Sequence, residues 1–216
     1  MGRRLKHRDS VSDLTIDISL EADEEIIDYV NAYPGRVLQS ARRAANRTAK
    51  AVRGKSNRII AEKYTVKRSA LRGTIQSAGY KGGDGYAQVL YSGKKIEAQY
   101  FQHTPNRVGI RRPEFGIGVH IKKGEPIDIR EGSFLAYAPN GVLKIYTRKY
   151  YKQDYGKRVG IRRLPIVREF GPSPASMMKE NKQFIPEVEE FGKDAYKKEF
   201  IYQMTEGYQY IGVRKS

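Results

Sequence analysis

The stretch GRVLQSARRAANRTAKAVRGKSNRIIAEK, residues 35–63, sets the reading of the whole chain. Val37, Leu38, Ala41, Ala45, Thr48, Val52, Ile59 and Ile60 recur at helical spacing. The spacing predicts one long helix whose buried stripe is made mostly of small residues. Arg42, Arg43, Arg47, Lys50 and Arg53 fall on the flanks and the opposite side. Gly54 weakens a helix by about 1 kcal/mol relative to alanine, which marks an expected kink.

Toward the N-terminus, Tyr33-Pro34-Gly35 separates this helix from what precedes it, because proline disfavours helical geometry in the residue before it. A shorter helix carrying Ile26, Ile27 and Val30 is expected there, capped by Asp23 or a neighbouring acid at its positive end. Leu14, Ile16 and Ile18 alternate with Thr15, Asp17 and Ser19, the period of a half-buried strand. Residues 1–12 are expected to be a flexible N-terminus.

Toward the C-terminus, a short helical turn over Lys67–Arg72 is followed at Gly73 by a change of texture. Ile75, Tyr86, Val89, Tyr91, Ile96, Phe101, Ile117, Val119, Ile121, Ile127 and Ile129 sit in short runs broken by glycine. Phe134 to Tyr137 and Val142 to Thr147 continue the series, so an antiparallel sheet is expected. Lys81-Gly82-Gly83-Asp84-Gly85 reads as a turn, and His103–Pro113 and residues 149–163 as basic loops. Gly171-Pro172-Ser173-Pro174 stops the sheet and opens a helix, with Ser173 as its cap. A final helix is expected over Pro186–Glu206, within a C-terminal helical extension spanning residues 174–216. The order helix, sheet, helix predicts a single α+β domain over residues 1–216, with the two helical parts packed on the sheet.

Charge is the strongest functional signal. The chain has 216 residues and a formal net charge of +17, from 41 Lys and Arg against 24 Asp and Glu. A surface that basic attracts polyanions, nucleic acid first. Eight acids and no base lie between Asp9 and Asp28, whereas residues 36–63 hold nine bases and Glu62 alone. These blocks are expected to meet either within one chain or across a subunit boundary. Arg42, Arg43, Arg47, Lys50 and Arg53 are the DNA-facing candidates, since phosphate contact needs only dense positive charge. Arg107, Arg111, Arg112, Tyr150, Tyr151 and Tyr155 combine arginine with tyrosine, a mix suited to partner contacts and to stacking on single strands.

Signals for catalysis are weak. Without cysteine there is no disulfide framework, thiolate metal site or cysteine nucleophile. His7, His103 and His120 form no spaced ligand set, and Gly82–Gly85 lacks the Gly-Lys-Ser/Thr ending of a phosphate loop. No Gly-x-Ser-x-Gly elbow is present. The expectation is a protein that is not an enzyme and carries no metal or cofactor. No apolar run approaches the roughly 18 residues needed to span a bilayer, and the basic start is not followed by an apolar signal core. A soluble, non-exported protein is expected, with no membrane partner.

Several phrases in order resemble the minor tail protein Z family of bacteriophage tail-completion proteins. They are Ala41 to Ala49, with Ala-x-Asn-Arg-Thr-Ala at its end, then Arg58 to Lys67 and the segment to Leu71-Arg72. Gly132-Ser133-Phe134, Gly141 to Arg148, Leu164-Pro165-Ile166 and Gly171-Pro172-Ser173 follow. The resemblance covers roughly Leu14 to Ser176 and departs at the basic insert Tyr150–Arg163 and the extended C-terminus. It implies a structural virion protein at the tail and neck, made in the host cytoplasm, that helps join tail to head. It further implies a homo-oligomeric, hexameric ring near the packaged DNA end, contacting other neck and tail proteins. The alternative from charge alone is a free nucleic-acid-binding protein using the helix at residues 36–63.

Overall fold

The computed structural model describes residues 12–78, 86–109, 116–148 and 166–206. In chain order the elements are β1 (Leu14–Ser19), α1 (Glu24–Ala32), α2 (Val37–Lys63), α3 (Arg68–Arg72), β2 (Ile75–Ala78) and β3 (Tyr86–Tyr91). Then come β4 (Gln102–Thr104), β5 (Ile117–His120), β6 (Asp128–Arg130), β7 (Ser133–Tyr137), β8 (Leu143–Arg148), β9 (Ile166–Arg168), α4 (Pro174–Glu180) and α5 (Phe184–Met204). The fold is α+β, with helices in the N-terminal and C-terminal parts of the chain and, among the described residues, three antiparallel three-stranded sheets. The expected kink at Gly54 does not divide α2, which runs unbroken through it.

Two compact units are formed: residues 1–60, 71–94 and 174–216 make the first, residues 61–70 and 95–173 the second. In the first unit β3 is the central strand, flanked by β1 and β2. The alternation seen in Leu14–Ser19 places Ile16 opposite Val89 and Ile18 opposite Ala87, all four buried. Asp23 caps α1 by accepting from the Ile26 amide at 3.0 Å, and a single 3-10 turn at Pro34–Arg36 separates α1 from α2. Ala44, Ala45, Thr48, Ala49, Val52, Ile59 and Ile60 form the buried stripe of α2. On α5, Val188, Tyr196, Phe200 and Met204 are buried as well, so the C-terminal helices contribute to the core. A Cβ on Gly192 would come within 2.4 Å of the Ile18 side chain, so glycine lets α5 lie close to β1.

The second unit holds the sheets β4-β5-β6 and β7-β8-β9. Its core is built from Tyr64, Val66, Ile96, Phe101, Ile117, Val119 and Ile145. His103 and Thr104, expected in a loop, belong to β4, because His103 pairs with Val119 and Thr104 with Gly118. Gly116 adopts φ 109°, and a Cβ there would lie 2.1 Å from the backbone oxygen of Arg130. The turn expected at Lys81–Gly85 lies outside the described residues.

Candidate nucleic-acid and partner interface

The phrase Ala45-Asn46-Arg47-Thr48-Ala49 serves two ends at once. Ala45, Thr48 and Ala49 are buried and face the core. Asn46 turns back on its own helix, donating to the Arg42 carbonyl at 2.8 Å. Arg47 points outward, donates to Glu199 of α5 at 2.7 Å, and lies 5.7 Å from the centre of the Tyr202 ring.

The basic face of α2 is therefore divided. One flank is committed to α5: besides Arg47, Lys55 pairs with Glu187 at 2.7 Å and lies 5.9 Å from the Phe191 ring. Arg36, at the start of the helix, donates to the Met204 carbonyl at 3.5 Å. On another flank Arg53 donates to the Arg72 carbonyl at 3.0 Å. Arg42, Lys50 and Arg58 are exposed and Arg43 is half-exposed. Of the five DNA-facing candidates, Arg47 and Arg53 thus have structural partners within the unit. A row of exposed cations on a rigid helix gives phosphates a contact surface without base-specific chemistry.

Several of the acids that precede α2 pair with α5 and β3 neighbours. Asp23 and Glu25 both accept from Lys197 of α5, at 2.6 and 2.9 Å, and Glu21 pairs with Lys193. The hydrogen bond that Lys197 donates to Asp23, followed by that to Glu25, pushes its ammonium well above its ordinary range. In return, the hydrogen bond from Lys197 and that from the Ile26 amide hold the Asp23 carboxyl below the usual carboxylate range. These exposed pairs hold β1 and α1 to α5, each with modest strength in water. Asp17 accepts from Gln88, and Asp13 from the Gly93 amide.

In the second unit Arg107 is exposed. Arg111, Arg112, Tyr150, Tyr151 and Tyr155 lie outside the described residues. His103 and His120 point to opposite faces of their sheet, since they occupy non-equivalent positions in the β4–β5 register. His103 Nδ1 donates to the Phe101 carbonyl at 2.9 Å. Among the described residues no group of three His, Asp or Glu side chains is arranged to hold a metal ion. Nor is any described helix long and apolar enough to cross a membrane.

A half-buried ionic cluster is the other polar centre of this unit. Glu97 accepts from Lys144 at 2.8 and 3.0 Å and from Arg168 at 3.2 Å. Burial alone raises the Glu97 carboxyl, but the hydrogen bonds from Lys144 and Gln99 and the charge of Arg168 outweigh it and leave the group lowered. The cluster ties the loop before β4 to β8 and β9. Sequence reading missed it, as it missed Glu187, Glu199, Phe191 and Tyr202. Apart from Gln99, which neighbours Glu97 in sequence, these are partners brought in from more than 40 residues away, and no local pattern marks them.

No family model, curated protein or solved structure matches this chain.

Proposed function

We propose that the chain is a structural virion protein that completes the tail of a long-tailed bacteriophage and helps join it to the head, forming a six-fold ring near the packaged DNA end. The observation that carries the reading is the order of phrases resembling minor tail protein Z, from Ala41 through Ser173. Two features support it. The described phrases fall on α2 and the segment that follows it, on the β7–β8 hairpin and at the entrance to α4. The surface of α2 carries Arg42, Arg43 and Lys50, positive charge of the kind the wall of a DNA passage needs.

The test is the mass of the purified protein by light scattering over a range of salt, followed by negative-stain imaging. A closed ring that survives moderate salt is the expected result. A monomer that binds short duplex DNA, with affinity falling steeply as salt rises, would replace this reading with a free nucleic-acid-binding protein. In that case replacing Arg42, Arg43 and Lys50 with Gln lowers the salt slope by about 0.9 per lost phosphate contact. Arg47→Gln, whose side chain already pairs with Glu199, lowers it less.

A further inference from the structure

The second unit carries an edge strand whose sequence is complementary to itself. Strand β6 ends the sheet β4-β5-β6, and no other described strand pairs with its far side. The opposite edge differs: along β4, the Gln102 amide donates to Thr65 Oγ1, and the Lys67 amide just outside it donates to the Tyr100 carbonyl. An open edge presents unpaired backbone donors and acceptors, a template for another strand.

Alternation sorts the side chains of β6 onto two faces. Asp128 and Arg130 share one face and pair with each other at 2.8 Å, with Arg130 also reaching Glu169 at 3.4 Å. Ile129 lies on the other face opposite Gly118, and Ile127 leans over the same glycine, so near that a Cβ on Gly118 would lie 2.8 Å from it. Both isoleucines are 55% exposed, although they are among the most apolar side chains in the unit.

We infer that β6 pairs antiparallel with β6 of a second copy of this chain, about a two-fold axis through Ile129. In that register Asp128 stands opposite Arg130 of the other copy, and Arg130 opposite its Asp128. Four charges of alternating sign then cover one face of the joint, and the isoleucines of both copies meet over the two Gly118 positions on the other. Shifting the register by one residue would place Asp128 against the other copy's Ile129 and lose both gains. The contact is isologous, the same patch used by both copies. It does not rest on the tail-completion reading, whose ring closes by a head-to-tail contact.

The chain's lack of cysteine makes the test direct. A residue on the axis of an antiparallel pair meets its own copy with Cα atoms about 4.5–5.5 Å apart, within the roughly 4.4–6.8 Å that a disulfide spans. Ile129→Cys is compared with Val142→Cys, an exposed control in the same unit, under mild oxidation over a concentration series. The expected result is dimer cross-linked through residue 129 at least roughly ten-fold faster than through 142, because the contact raises the effective concentration of the two thiols. Adding Asp128→Arg to Ile129→Cys sets like charges face to face and removes the advantage, with circular dichroism confirming an intact fold. Equal cross-linking rates at the two positions would overturn the inference. So would a wild-type protein that stays monomeric throughout, or a closed ring whose subunits do not cross-link at residue 129.

Discussion

Tyr91→Phe removes one oxygen from the core of the first unit, and the structure fixes both the sign and the pH dependence of the effect. Tyr91 is fully buried in β3, and its hydroxyl lies 2.6 Å from Ser56 Oγ on α2. Ser56 spends its own proton on the Val52 carbonyl at 2.8 Å, so Tyr91 is the donor between the two hydroxyls. At neutral pH the substitution deletes one net hydrogen bond, worth about 1 kcal/mol. Burial pushes the Tyr91 phenol up from 10.0 to about 12, against the smaller opposing effect of its bond to Ser56. The unfolded chain therefore ionises this tyrosine first. Its stabilising effect is complete below pH 10 and is lost as pH rises through the folded value. On the order of 1 kcal/mol is gone at pH 11 and roughly twice that by pH 12. The variant has no such loss. Urea unfolding monitored by circular dichroism from pH 7 to 11.5 should show Tyr91→Phe less stable at pH 7, equal near pH 11 and more stable above it. Ser56→Ala should be the worse single change at pH 7, by roughly 1 kcal/mol, because it strands the buried phenol donor. Adding Tyr91→Phe to it should recover part of the loss. A constant gap between wild type and Tyr91→Phe across the pH range would refute the assignment of a buried, neutral phenol paired with Ser56.

Gly116→Ala should destabilise the second unit by roughly 2–4 kcal/mol, since the new methyl meets the Arg130 backbone and the positive φ is itself strained; thermal unfolding measures this, and an unchanged midpoint would show that β6 can yield. At the acid end, the lowered Asp23 carboxyl contributes stability above its ordinary value of 3.8, and that contribution is lost as pH falls through its lower folded value. The stability gap between wild type and Asp23→Asn should accordingly narrow as pH falls below about 4 in a urea series, and a gap that stays constant on acidification would refute the ion pair with Lys197. Asp23→Ala, which removes the α1 cap along with the charge, should be less stable than Asp23→Asn at every pH.

Local periodicity determined a great deal here. The apolar spacing of residues 35–63, the alternation at Leu14–Ser19, the stop at Tyr33-Pro34-Gly35 and the entrance at Pro174 each locate an element within a few residues of its observed bounds. Such signals are legible because a helix or strand must bury one face, and its period writes that face into the sequence. The α+β class follows from the order of those elements. The charge of α2 was equally legible; its use was not. Only tertiary contact decided that Arg47 and Lys55 would be spent on Glu199 and Glu187, and that the acids near the N-terminus would go to Lys193 and Lys197. It alone also decided that β1 would pair with β3 across some 70 residues. Pairing partners far apart in sequence leave no periodic mark, because the free energy that selects them comes from burial and charge complementarity summed over the folded chain rather than from any one segment.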